Sequence, residues 1–190
     1  MRSEDAGLAL RRRSDGEPSS VEPIALSADL VEIVVSPGHD YWTEGGAGRL
    51  RHGYFNPPEV ECVAGRGLIG DRYFDHPEGH DSQVTFISAE ALDDLRARFN
   101  LPNLPAGVLR RNLVVRGADL STLVGRRFRL QEVEFEGVEE CLPCVWMNRV
   151  VGGGAEHFLR ENFRGGLRAR VVTDGTLRTA SWLDAPRPTT

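Results

Sequence analysis

Cys141 and Cys144, in "EECLPC" (139–144), are the side chains of this sequence best suited to chemistry. Two thiols with two residues between them can hold half a zinc site, form a redox disulfide, or supply one reactive thiolate beside an incidental neighbour. Each use makes a demand on other residues. Zinc asks for two further ligands; His157 stands where a zinc finger would put its third, but the fourth position holds Glu161 and no second Cys-x-x-Cys occurs. A thioredoxin-type disulfide asks for a long helix opening at the motif, and "VWMNRVVGGG" runs into three glycines too soon for one. The later proline that such a site also uses is absent until Pro186 and Pro188, at the end of the chain. Inert, partly buried thiols are the plain alternative, because that is the common fate of a free cysteine.

Arginines argue for the reactive thiolate. "VLRRNLVVRG" sets Arg110, Arg111 and Asn112 at the entrance of a strand, where guanidinium forks can grip phosphate or another oxyanion. "GLIGDRYF" puts Arg72 beside a Gly-rich turn, and "GGLRARVV" alternates Arg168 and Arg170 so that both fall on one face of a strand. Any one of these could be a solvated surface arginine. Several in one small domain point to an anion.

The elements that must position these residues are mostly strands. "LVEIVVS", from Leu30, reads as a buried strand ending at Pro37-Gly38, and "EVECVAG", "SQVTFIS", "NLVVRG" and the pair in "RFRLQEVEFEG" read as further strands. Ser88 caps a short helix whose Leu92, Leu95 and Phe99 share a face, and another short helix is expected over Glu156 to Asn162. "LRARVVT-DG-TLRTAS" reads as a hairpin, with Asp174-Gly175 as a two-residue type I′ turn. The long stretch 38–58 carries His39, Tyr41 and Trp42 among glycines, and its length suits a functional excursion at the mouth of a site or aromatics that plug a barrel end. Residues 1–22 mix charge with Ser, Gly and Pro and are expected to be disordered; one domain is expected over 30–182, with a short tail over 183–190. The fold class is therefore mostly β: an antiparallel sheet closed or partly closed into a barrel, with a few short helices.

Composition bounds the function. The chain has 190 residues, 40 % apolar and 27 % charged, with a net charge of −5. That balance offers no clustered positive field for nucleic acid, and no run approaches the roughly eighteen apolar residues that a membrane span needs. Three cysteines fit a reducing compartment, so a cytoplasmic protein is expected. All 23 basic side chains are arginine. Without lysine, pyridoxal phosphate chemistry through an internal Schiff base is excluded within this chain.

Taken in order, "GRGLIGDRYF", "SQVTFIS", "RRNLVVRGADLSTLVGRRFRL", "EECLPC" and "GGLRARVVTDG" resemble the MOSC domain, the family named after the C-terminal domain of molybdenum cofactor sulfurase. The likeness runs from about Val31 to Ala180 and resembles the stand-alone bacterial members. It implies a β-rich, barrel-like fold and an essential cysteine that carries a sulfur atom or ligates molybdenum in the pyranopterin cofactor. The cysteine shared across the family is the second of the pair, which maps to Cys144 as catalytic residue and molybdenum ligand, with Cys141 as an accessory thiol. By the same likeness Arg110, Arg111 and Asn112 would face the cofactor phosphate or another anion, with Arg72 and Arg168 as further candidates. A soft thiolate suits molybdenum, and neighbouring cationic groups favour thiolate over thiol. The chain shows neither the pyridoxal phosphate desulfurase domain of full-length sulfurases nor the extra N-terminal domain of the mitochondrial amidoxime-reducing components. The functions implied are a sulfur carrier or a reductase of N-hydroxylated compounds; a binding module for the cofactor or another anionic metabolite, without turnover, is the alternative, and a thiol-disulfide redox protein a third. A small-molecule substrate or cofactor, and a separate sulfur- or electron-donor protein, would be its partners.

Overall fold

A computed structural model describes residues 22–39, 52–76 and 82–184. In chain order the strands are β1 (Ile24–Ala25), β2 (Asp29–Ile33), β3 (Glu59–Val63), β4 (Gly67–Leu68), β5 (Val84–Ser88), β6 (Leu113–Arg116), β7 (Arg127–Leu130), β8 (Val133–Glu140), β9 (Leu167–Val171) and β10 (Gly175–Arg178). The helices are α1 (Ala89–Phe99), α2 (Trp146–Val150), α3 (Ala155–Arg160) and α4 (Ala180–Leu183), with single 3-10 turns at Ala106–Leu109, Leu120–Leu123 and Glu161–Phe163. Seven strands form one sheet in the order β1-β7-β8-β9-β5-β6-β2, curled into a half barrel, and β10-β3-β4 form a second. Most neighbours are antiparallel, and the pairs β5–β6 and β1–β7 are parallel. Among the described residues no helix is long and apolar enough to cross a membrane.

The sheet has two apolar faces because β5 and β6 alternate between two cores. Phe86, Val84, Leu113 and Val115 point into the barrel, and Ile87 and Val114 point outward under α1, α2 and α3. Inside, the rings of Phe86, Phe128 and Phe135 meet at 5.2–5.6 Å, all three fully buried. Each such ring contributes about 1.5–3 kcal/mol through area removed from water. Outside, Leu92 and Leu95 of α1 pack down as their spacing foretells, and Ser88 Oγ accepts from the Ala91 N–H at 3.1 Å to start the helix.

Three expectations are corrected. The folded chain starts earlier than Leu30: β1 is a strand only through parallel pairing with β7, Ile24 opposite Phe128, and two residues leave no periodicity to read. The Asp174-Gly175 hairpin does not form. Strand β9 already has β8 on one edge and β5 on the other, so β10 has no edge there to join; it pairs instead with β3, Leu177 opposite Val60. Asp174 Oδ1 accepts from the Ala64 N–H at 2.7 Å, which ties the two sheets together where a tight turn was expected. The C-terminal tail begins later than 183, because the turn of α4 runs through Leu183. The expected tail over 1–22 lies outside the described residues but for its last position.

Candidate functional site

Cys141 and Cys144 lie between the end of β8 and α2, which lasts only five residues before the glycines. Cys141 is buried and its N–H donates to the Gly166 carbonyl at 2.7 Å; Cys144 is exposed. The approach works because Gly165 and Gly166 carry no side chain. A Cβ on Gly165 would lie 2.5 Å from the Cys141 carbonyl oxygen, and one on Gly166, whose φ is +96°, would overlap the Phe86 carbonyl.

Both thiols line one cavity of about 140 Å³, and so do Arg72, Arg110, Arg111 and Arg168. Its remaining walls come from Tyr73, Ser82, Thr85, Leu109, Leu142, Trp146 and Met147. Trp146 is held by its ring N–H, which donates to the Val108 carbonyl at 3.1 Å.

The four arginines have different partners. Arg111 donates to three backbone carbonyls: Nε to Gly165 at 2.8 Å, Nη1 to Leu109 at 3.2 Å and Nη2 to Cys141 at 3.0 Å. These bonds engage three of its five N–H donors without cancelling its charge, and they hold the cysteine segment against the strand entrance. Arg110 takes a left-handed backbone conformation at φ 58°, and its Nη2 donates to the Gly38 carbonyl at 2.6 Å and to Ser36 Oγ at 3.2 Å. Arg72, with a side chain 5 % exposed, pairs with Asp71 at 3.3 Å and donates to the Arg110 carbonyl at 3.2 Å, while its buried Nε has no hydrogen-bond partner among the described residues. Arg168 donates to Ser82 Oγ at 3.0 Å and pairs with Glu139 at 3.4 Å; its Nε is likewise buried without a hydrogen bond among the described residues. Burial opposes the charge on Arg168, but Cys141, Glu139 and Tyr73 outweigh it and raise its pKa. Cys141 acts on that guanidinium both through its proximity and through a side-chain hydrogen bond.

Asn112 has a different place from the one its motif suggested. Its Oδ1 accepts from the N–H and hydroxyl of Thr85 at 3.1 and 2.9 Å, and its Nδ2 donates to the Val34 carbonyl at 3.2 Å and to Asp71 at 3.0 Å. With its amide so engaged it braces β5 against the strand entrance and is not among the cavity-lining residues. His39 packs edge-on against Tyr73 at 5.3 Å, a cavity-lining ring. Burial, then the charges of Arg72 and Arg110, hold its pKa below the ordinary histidine value. Tyr41 and Trp42 lie outside the described residues. His157 is elsewhere, paired with Glu161 at 3.3 Å on the exposed surface, so the zinc spacing in the sequence does not bring a third ligand to the cysteines. The third cysteine, Cys62, is buried in the barrel, where burial first and then Glu132 and Glu61 push its thiol pKa up to about 12.

One residue that positions the site was invisible in the sequence. Asp71 looks like an ordinary turn carboxylate in "GDRYF", yet its side chain is fully buried and gathers donors from Ser36, Tyr73, Asn112 and Arg72. Nothing in the local motif tells a buried carboxylate from a solvated one.

The sequence profile of the MOSC domain matches residues 73–181, more than half of the chain and every cavity-lining residue except Arg72. This chain belongs to the MOSC domain family. Solved structures agree on the fold of this MOSC protein. YuaD from Bacillus subtilis superposes with a TM-score of 0.61 at 16 % identity, covering 80 % of this chain and 91 % of that one. YiiM from Geobacillus stearothermophilus does so with a TM-score of 0.59 at 17 % identity, covering 80 % and 71 %. YiiM from Escherichia coli gives 0.51 at 18 % identity, covering 77 % and 65 %. A sequence search of curated proteins finds no match. MOSC domains are in general associated with binding of the molybdenum cofactor.

Proposed function

We propose that this MOSC protein binds the molybdenum cofactor, with Cys144 as the thiolate that meets the metal or carries its sulfur, and that it works as a sulfur carrier or as a reductase of N-hydroxylated compounds. The observation that carries this reading is an exposed thiol on a cavity walled by four arginines, two of which, Arg72 and Arg168, keep a buried Nε without a hydrogen bond among the described residues. A buried donor left unmatched costs about 1–3 kcal/mol, so an anionic group entering the cavity recovers that energy on binding. The residues therefore fit the group: Arg72, Arg111 and Arg168 would hold its anionic part, and Cys144 offers the soft sulfur that molybdenum favours. When bound, the cofactor supplies a soft redox metal. Arg111 holds the cysteine segment in place through the Gly165 and Cys141 carbonyls, and Trp146 and Met147 close the apolar side of the cavity. Cys141, buried beside Arg168, is the accessory thiol. A separate protein would deliver the sulfur or the electrons.

The test is elemental analysis of protein made in a host that synthesises the cofactor. Wild type should carry molybdenum near stoichiometry, Cys144→Ser should lose it, and Cys141→Ser should keep most of it. Equal loss in both variants would return the pair to a joint role, and a wild-type protein without molybdenum from such a host would overturn the proposal.

A further inference from the structure

We infer that the cavity beside Cys144 accepts thiosulfate, and that Cys144 takes its sulfane sulfur to become a persulfide. The inference rests on the sulfur-carrying reading of Cys144 and names the donor. The 190 residues contain no lysine to liberate sulfur from cysteine by pyridoxal phosphate chemistry, so this cavity must be offered sulfur that is already activated.

The cavity selects the kind of molecule. At about 140 Å³ it is the size for a small ion, and its polar wall is cationic. The Arg72 side chain is 5 % exposed, and its Nε, buried and without a hydrogen bond, is a donor already desolvated. Arg168 adds a second such Nε. Arg111 adds a charge whose three hydrogen bonds all go to neutral carbonyls. Carboxylates facing the cluster, Asp71 on Arg72 and Glu139 on Arg168, leave positive charge in excess for a dianion. Guanidinium groups bind oxyanions best through paired N–H donors, which a tetrahedral SO₃ group matches. At the exposed end the surroundings change: Leu142 and Val145, 51 % and 56 % exposed, flank Cys144. A hard oxyanion end and a soft, weakly hydrated sulfur end are the two halves of thiosulfate.

The step balances without a further reactant. The Cys144 thiolate attacks the outer sulfur of S–SO₃²⁻; a new S–S bond forms at Cys144, and the old S–S bond breaks. Sulfite leaves with the bonding electron pair, and the single negative charge of the thiolate passes to the persulfide. The arginines hold the SO₃ group before and after the break, and the departing electron pair makes their contribution larger as the bond opens.

The reduced chain, with no molybdenum added, is incubated with thiosulfate, freed of excess reagent and analysed by intact mass and peptide mapping; sulfite release is followed in parallel. The gain of one sulfur atom on the Cys144 peptide with an equal amount of sulfite is expected, and cyanide should then turn over the persulfide to thiocyanate. Cys144→Ser should lose the reaction, and Cys141→Ser should keep it. Arg168→Gln should raise the KM for thiosulfate at least tenfold, Arg168→Lys should recover part of that, and Arg160→Gln, an exposed side chain paired with Glu156 away from the cavity, should leave it unchanged. Inorganic polysulfide provides the second arm, because it delivers sulfur without an oxyanion. Labelling of Cys144 by polysulfide but not by thiosulfate overturns the donor assignment and leaves the carrier reading standing. Labelling by neither overturns both. Labelling by thiosulfate that is indifferent to Arg168→Gln and Arg72→Gln overturns the placement of the anion among these arginines.

Discussion

Replacing Asp71 with asparagine removes one charge at the point where the arginine cluster is tied to the barrel. The Asp71 side chain is fully buried. Its Oδ2 accepts from the Ser36 N–H at 3.1 Å, Asn112 Nδ2 at 3.0 Å and Arg72 Nη1 at 3.3 Å, and its Oδ1 accepts from the Tyr73 N–H at 3.1 Å. Asparagine keeps one acceptor oxygen. Set at the Oδ2 position, it turns its amide N–H₂ toward the Tyr73 N–H; the opposite flip would strand three donors, so the first is adopted. One backbone hydrogen bond is then replaced by a donor facing a donor, worth about 1–3 kcal/mol. The larger loss is the charge opposite Arg72, since breaking a buried pair by removing one partner costs about 3–5 kcal/mol. The two losses share the same relaxation, so the whole should fall at about 3–5 kcal/mol. With a urea slope of about 2 kcal/mol/M, the unfolding midpoint drops by roughly 2 M. The assay is equilibrium urea unfolding followed by tryptophan fluorescence, with wild type and Asp71→Asn side by side. A loss below about 1 kcal/mol at unchanged slope would refute the reasoning, because the carboxylate would then not be what holds Arg72 in place.

Three other outcomes are expected. Gly166→Ala forces a side chain into the Phe86 carbonyl at φ +96°, and should cost about 3 kcal/mol or more, read as a fall in thermal midpoint or as loss of folded protein. Arg111→Lys cannot span the Gly165, Leu109 and Cys141 carbonyls with one ammonium and should lose about 2–4 kcal/mol, lowering Tm by roughly 5–10 °C. The Cys62 thiol is held at about 12, against an ordinary value of 9.0, so the folded state keeps its proton while the unfolded chain loses it. Stability from this group is complete below pH 9 and is lost as pH rises toward 12, by about 1.4 kcal/mol per pH unit; the urea midpoint advantage of wild type over Cys62→Ala should shrink accordingly between pH 9 and 10.5.

The sequence by itself determined the residue types and most of the local elements. Strands with β-branched and aromatic residues, the Ser88 cap and the short helix broken by Gly152, Gly153 and Gly154 all depend on neighbours within a few positions, and the structure contains each of them. The same is true of the candidates: Cys141, Cys144, Arg72, Arg110, Arg111 and Arg168 stand out by type and motif, and the fold gathers all six around one cavity. What each of them does there was decided by tertiary structure. Asn112 carries the same motif as Arg110 and Arg111, but strand β5 claims its amide through Thr85. Asp174-Gly175 has the chemistry of a tight turn, but both edges of β9 are occupied, so the next strand crosses to the other sheet. Asp71 became a keystone only when Ser36 and Asn112 closed around it from two distant segments, beside its neighbour Arg72. Arg168 reaches Ser82 across 86 residues of sequence because β9 and β5 are neighbours in the sheet. Backbone preference and side-chain chemistry act over a few residues and can be read locally; burial and partnership depend on which strands find which edges, and that is settled only when the whole chain has closed.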